Sequence, residues 1–227
     1  MNRLVCVLCL NLLVSSTSAT TIIDFLKYQG ITYESHRFGV GRDLRESDLG
    51  PEITRVKYKF VWDGIHPGKQ PDHGPEDAFA ASLEIGAPVY QLKEYSSIFR
   101  LASRRKGRIV LFEVSRVPNA TSGMDYLDLR NLEYLGIISG EDGVTELGAI
   151  KGAERINELV VQLAEAPVVR NQGAGPAQHF LAFHFRDGTA SLKACSLDFG
   201  KLWPDILLPE EFVQAIKDAI PERGREP

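Results

Sequence analysis

Beyond about residue 20 the apolar residues recur mostly at period two, in short runs broken by Gly, Pro and Asp, and few folds accept that pattern. Successive side chains of a strand point to opposite faces, so each run buries one face and wets the other. Val56, Tyr58, Phe60 and Trp62 are expected to face a core, with Arg55, Lys57 and Lys59 in solvent. Ile31-Thr32-Tyr33 and the segments 89–95, 99–103 and 108–114 read as further strands. The last two are joined by a turn over Arg105-Lys106-Gly107, where Gly107 is free to take positive φ. Segments 132–138 and 144–150 flank a polar loop at 139–143. Segments 178–186 and 189–197 flank Asp187-Gly188, the strongest local turn signal in the chain, which is expected to set residue 185 or 186 opposite 190. Ile22, Ile23, Phe25 and Leu26 fit either a helical turn or a strand.

Twice the period changes to that of a helix. Ile156, Leu159, Val160 and Leu163 fall at i, i+3, i+4 and i+7, and the pattern ends before Pro167. Pro209 suits a first helical position, Glu210 and Glu211 suit a first turn, and Phe212, Ala215, Ile216 and Ala219 line one face. Between residues 64 and 86 lies a Gly-, Pro-, His- and Asp-rich stretch, longer than ordinary connections, with 77–81 as its one potential helical turn. The expected class is therefore α+β: an antiparallel sheet built from short strands and hairpins, one face covered by two or three packed helices. The order hairpin then helix occurs in both 132–163 and 178–220. A two-lobe organisation split near 168–176 therefore stands beside the simpler reading of one domain over 20–227.

Ahead of this domain, Arg3 precedes an apolar run from Leu4 to Val14, and Ser15-Ser16-Thr17-Ser18-Ala19 supplies small residues for cleavage behind Ala19. Residues 1–19 thus read as a secretory signal. Eleven residues span about 17 Å as a helix against roughly 30 Å of hydrocarbon, so no stable transmembrane span is expected after processing. The expected location is secreted or cell-envelope. Cys6 and Cys9 leave with the signal, and their C-x-x-C spacing sits in an apolar run without the polar neighbours a metal or redox pair needs. Leu8 before Cys9 departs from the small residue of a lipid-attachment site. Cys195 alone remains, so no intramolecular disulfide is expected. With 26 basic and 30 acidic side chains and a formal charge of −4, the chain lacks the basic excess of a general nucleic-acid binder.

Catalytic and cofactor motifs are absent. There is no P-loop, Gly39-Val40-Gly41 lacks a third glycine in register, and Pro176 removes a backbone donor from Gly173-Ala174-Gly175. No Gly-x-Ser-x-Gly or His-Glu-x-x-His occurs. A nucleophilic Cys195 would need a histidine, for which His184 is the nearby candidate, although the turn register separates the two. Two clusters are worth following. Asp63, His66, Asp72, His73, Glu76 and Asp77 bring carboxylates and imidazoles together in one loop, a donor set suited to calcium, manganese or zinc. Arg100, Arg104, Arg105, Lys106 and Arg108 gather positive charge around one hairpin, where they would attract an anionic envelope polymer or an acidic protein partner.

From Asp48-Leu49-Gly50-Pro51-Glu52 onward the chain resembles a group of uncharacterised secreted or lipoprotein-like proteins of Gram-positive bacteria. The resembling pieces are Gly86-Ala87-Pro88-Val89-Tyr90, Phe99-Arg100-Leu101-Ala102, Asp142-Gly143-Val144-Thr145-Glu146-Leu147, Ala166-Pro167-Val168 and Phe185-Arg186-Asp187-Gly188-Thr189. The resemblance implies an extracytoplasmic compartment and carries no activity. The expected function is a non-enzymatic extracytoplasmic binding or envelope-associated protein, with a secreted hydrolase, metal-dependent through the 63–77 loop, as the alternative.

Overall fold

The computed structural model describes residues 24–35, 40–60, 77–170 and 177–221. It is an α+β fold of two mostly antiparallel sheets and two helices. Eight strands form the first sheet, in the order β3-β6-β7-β8-β2-β1-β5-β4. These are β1 (Phe25–Tyr28), β2 (Ile31–Glu34), β3 (Leu49–Arg55), β4 (Tyr58–Lys59), β5 (Phe79–Ala80), β6 (Pro88–Leu92), β7 (Arg100–Arg105) and β8 (Arg108–Arg116). The second sheet runs β10-β9-β11-β12-β13-β14, from β9 (Leu132–Ser139), β10 (Glu146–Ile150), β11 (His179–Phe185), β12 (Ala190–Ser196), β13 (Lys201–Leu202) and β14 (Ile206–Leu207).

The two ends of the first sheet are one piece of chain. Residues 49–60 pair with β6 through β3 and with β5, in parallel, through β4. The handover falls at residues 56 and 57, whose amides donate to Ala87 and Ala78 carbonyls at 2.9 and 2.8 Å. The sheet therefore curls back on itself, which protects edges that would otherwise template association. The expected alternation breaks at this handover: Val56 is buried, but Tyr58, expected in the core, is 50% exposed. Lys57 and Lys59 stay on the surface, paired with Asp77 and Glu84. Trp62 lies outside the described residues. The turn expected at 77–81 is strand β5 instead, because Phe79 and Ala80 pair with both β1 and β4.

Two rows of side chains explain how the sheets meet. Leu26, Tyr33 and Val114 stand opposite one another across β1, β2 and β8 and are buried within the curled sheet. The next row, Glu34, Glu113 and Arg100, lies on the other face. That face meets Ser191 and Lys193, which share the inner face of the second sheet with Leu181 and Phe183. Buried residues of both sheets and both helices form one continuous hydrophobic cluster.

Helix α1 (Ala153–Glu165) buries Ile156, Leu159 and Leu163 and packs on β9. Helix α2 (Glu210–Ala219) buries Phe212, Val213, Ala215 and Ile216 and packs on β10. Each helix stops just ahead of a proline, at Pro167 and Pro221. Both are seated by glycines for reasons of space: a Cβ on Gly148 would land on the Ala219 carbonyl oxygen, and one on Gly123 on that of Leu163. No helix among the described residues is long and apolar enough to cross a membrane. Backbone groups cannot step aside as side-chain ends can, so Gly148→Ala and Gly123→Ala are each expected to lower unfolding free energy by about 2 kcal/mol. Urea denaturation checks this, and a loss below about 0.5 kcal/mol would mean the close approaches are not maintained in solution.

Candidate anion-binding cleft

The β7–β8 hairpin is tight. Arg105 pairs with Arg108, and Lys106 and Gly107 take positive φ at 48° and 76°, the two-residue geometry that matches strand twist. Beside it, residues 40–46 and the start of β12 enclose a cleft of about 1150 Å³. Ile109 and Leu111 form an apolar wall, and Arg42, Arg45, Arg105, Lys106 and Arg108 line it with positive charge. Glu113 and Thr189 lie at its floor.

The hairpin cations predicted as one patch have different fates, and strand geometry explains why. Arg100, Ala102 and Arg104 share a face of β7, but only the strand end projects past the second sheet. Arg100, expected at the surface, is 0% exposed, so it adds nothing to an exposed patch. Arg104 stays in solvent, paired with Glu46 and stacked 4.7 Å from the Tyr90 ring centroid. Arg105 is on the opposite face, with Leu101 and Ser103, and reaches across the mouth of the curled sheet to Asp24 and Ser82. Arg42 is a strut. It donates to both Asp48 carboxylate oxygens at 2.7 and 3.0 Å and to the Asp187 carbonyl at 2.6 Å. The shared bonds raise its pKa and lower that of Asp48. Arg45, Lys106 and Arg108 remain exposed, with no ion pair to another described residue. Sequence reasoning missed Arg45, which lies some sixty residues from the hairpin and joins it only in space.

Behind the cleft floor is a buried polar network. Arg100 Nε donates to Glu113 Oε1 at 2.8 Å. Its Nη2 lies 2.6 Å from the same oxygen but has no hydrogen-bond partner of its own, so charge rather than a directed bond holds it there. The guanidinium carbon is 4.9, 4.7 and 4.6 Å from the ring centroids of Tyr95, Phe99 and Phe185, a cage that favours a cation electrostatically. Glu113 Oε2 accepts from Ser191 Oγ at 2.6 Å and lies 3.5 Å from Lys193 Nζ. Arg100 Nη1 donates to Thr189 Oγ1 at 2.9 Å, and Tyr95 donates to Asp187 at 3.0 Å. Burial draws the Lys193 pKa down while Glu113 opposes the shift, and burial pushes the Tyr95 hydroxyl up to about 12.

The other sequence candidates are not assembled into a site. Asp63, His66, Asp72, His73 and Glu76 lie outside the described residues. Asp77 is described: it accepts from Lys57 at 2.8 Å, and that bond holds its carboxyl below the usual range. Among the described residues no three His, Cys, Asp or Glu side chains converge as a metal site. The β11–β12 turn holds three residues, Arg186 to Gly188, with the Phe185 amide on the Thr189 carbonyl, so His184 rather than 185 or 186 stands opposite Ala190. That register puts His179, not His184, opposite Cys195. The thiol is 1% exposed and burial pushes its pKa up to about 12, so it stays protonated and is a packing residue. No protein-family model, curated protein or solved structure matches this chain.

Replacing Glu113 by Gln keeps an acceptor for Ser191 but strands two buried cations, and we expect a stability loss of about 3 to 5 kcal/mol. Replacing Arg100, Glu113 and Lys193 together by Met, Leu and Met is expected to cost less than Glu113→Gln alone. Chemical denaturation of both variants decides; additive losses would show that the three charges do not act as a unit. A second expectation concerns pH. Burial lowers the pKa of both His179 and His184, the latter stacked 4.1 Å from Tyr134 with Glu146, Glu133 and Lys151 nearby. Once unfolded, both imidazoles take up protons near pH 6.5, before they do so in the fold. Stability is thus complete above about pH 6.5 and falls as pH drops below it, whereas the depressed Asp48 and Asp128 carboxylates act only below about pH 4. Urea midpoints at pH 7.5 and 5.5 should differ less in a His179→Gln/His184→Gln variant than in the wild type; equal differences would refute half-buried neutral rings.

Proposed function

We propose that this chain is a non-enzymatic extracytoplasmic binding protein that holds an anionic envelope polymer or an acidic protein segment in the cleft beside the β7–β8 hairpin. One observation carries this reading: Arg45, Lys106 and Arg108 stand exposed around a cavity of about 1150 Å³ with no ion-pair partner among the described residues. Every other described cation nearby is tied down by Asp24, Glu46, Asp48 or Glu113. Ile109 and Leu111 add an apolar wall against which a polymer backbone or aliphatic side chains can pack. The compartment rests on sequence: the Leu4 to Val14 run with Ala19, and the resemblance to secreted or lipoprotein-like proteins.

Exposed charges more than about 8 Å apart are largely screened at 0.15 M salt, so binding here should weaken steeply as salt is added. Retention on immobilised heparin, used as a generic polyanion, and recovery of partners from native envelope material are compared at low and high salt. Lys106→Glu/Arg108→Glu should lose most of the low-salt retention while its urea midpoint stays within about 0.5 kcal/mol of wild type, since both residues sit at a turn. Retention unaffected by either salt or charge reversal would reduce the cleft to a solubility feature.

A further inference from the structure

Strand β8 is longer than the neighbour that covers one of its edges. It has nine residues, whereas β2 has four and pairs with it only from Glu113 to Arg116. Residues 108–112 therefore have β7 on one side and, among the described residues, no strand on the other.

The register decides which backbone groups are left open. A two-residue hairpin loop is closed by a hydrogen-bonded pair at its ends, here Arg105 and Arg108, and bonded and non-bonded pairs then alternate along the ladder. Arg108, Val110 and Phe112 thus direct their amides and carbonyls at β7. The Val114 amide, two residues further, does the same and donates to the Phe99 carbonyl at 3.0 Å. Ile109 and Leu111 direct theirs the opposite way, toward the side on which Glu113 stands against Glu34 of β2. No described backbone group bonds to Ile109 or Leu111 on that side.

The cleft lies along this open edge. Every residue from Arg105 to Leu111 lines it, so side chains of both faces of the strand reach one cavity, as happens at an edge and not over a face. Across from them are Ser35, just past β2, and residues 40–46. A strand rises about 3.4 Å per residue and lies about 4.8 Å from its neighbour, so a segment of a few residues fits within the 1150 Å³ or so of the cleft. Of the acidic residues that line it, Glu46 is held by Arg104 and Glu113 by Arg100, which leaves Asp43 against Arg45, Lys106 and Arg108.

Building on the reading of the cleft as an anion site, we propose that its ligand is an acidic polypeptide segment in extended conformation, added to the first sheet as a strand along Ile109 to Leu111. In the antiparallel sense that β2 already takes, the residues opposite Ile109 and Leu111 exchange both backbone bonds with them and share their face. Those positions suit apolar side chains, because Ile109 and Leu111 form the apolar wall. The alternate positions share the face of Arg108 and suit carboxylates. A polysaccharide or polyphosphate chain meets the charge but has no amide ladder to match the open backbone groups.

The test is titration of the full chain with a blocked peptide of about seven residues alternating valine and glutamate, beside the same peptide N-methylated at its valines. N-methylation keeps every charge and removes the donors that face β8. Saturable binding of the parent peptide is expected, weakened at least about tenfold by N-methylation and likewise in Lys106→Glu/Arg108→Glu. Amide hydrogen exchange gives an independent readout. Ile109 and Leu111 should exchange readily in the free protein and slow at least about tenfold on saturation, while Val110, bonded to β7, stays slow in both. Equal binding of the two peptides, or slow exchange at Ile109 and Leu111 without ligand, overturns strand addition. Retention on heparin with no binding of the parent peptide also overturns it and leaves the anion-binding reading standing; loss of both removes the two together.

Discussion

The carboxylate of Glu113 is where the two sheets are locked together. It lies opposite Arg100 on the neighbouring strand of the first sheet and meets Ser191 and Lys193 on the second. All four residues are at most 3% exposed. Two apolar sheet faces attract each other without direction and would tolerate sliding. A buried anion with cations on either side does not, because any shift that parts it from them leaves charge in a low-dielectric interior. The network contributes less to net stability than to the choice of one docking register, since desolvation offsets most of the attraction. The three aromatic rings around Arg100 and the hydroxyl of Thr189 then fix the guanidinium in orientation as well as position.

Strand β8 runs between two cavities through the buried network. Its middle carries Glu113, its first residue is Arg108 at the cleft, and its last is Arg116, which lines a second cavity with Lys27 and Arg170. The cleft keeps its shape because neighbouring charges are consumed structurally. Arg42 ties residues 40–48 to the β11–β12 turn, Arg104 holds Glu46, and Arg105 bridges to Asp24. What remains open is the small subset, Arg45, Lys106 and Arg108, with no ion pair to a described acidic residue. A formal charge of −4 for the whole chain therefore says little about this surface, where five basic side chains line the cleft beside three acidic ones.

The second sheet places the β9–β10 and β11–β12 hairpins side by side, with β9 paired to β11. Helix α1 packs on β9 and helix α2 on β10. The recurrence of hairpin then helix along the chain thus corresponds to neighbours in one sheet, with a single buried cluster beneath both helices. Glycines at 123 and 148 let these helices approach so closely that their terminal carbonyls touch backbone, and such contacts hold an element in place more rigidly than side-chain packing does.

By itself the sequence determined the local elements: the hairpins at 105–108 and 185–190, the strands on either side, and the two amphipathic helices with their proline stops. Periodicity and turn chemistry act over a few residues and need no partner to be read. Only the tertiary structure decided the rest. Arg100 and Arg104 look alike along the chain because both occupy the same face of β7, and the β11–β12 hairpin of the second sheet, more than seventy residues away, covers one and spares the other. Tyr58 continues a clean alternation with Val56, yet the strand passes from one partner to another between them and the alternation loses its meaning. Arg116 would be placed on the wrong face by counting, since a bulge becomes visible only when its partner strand is in register. Charge pairing and burial arise from contacts between distant segments, and a one-dimensional pattern carries no record of which segments meet.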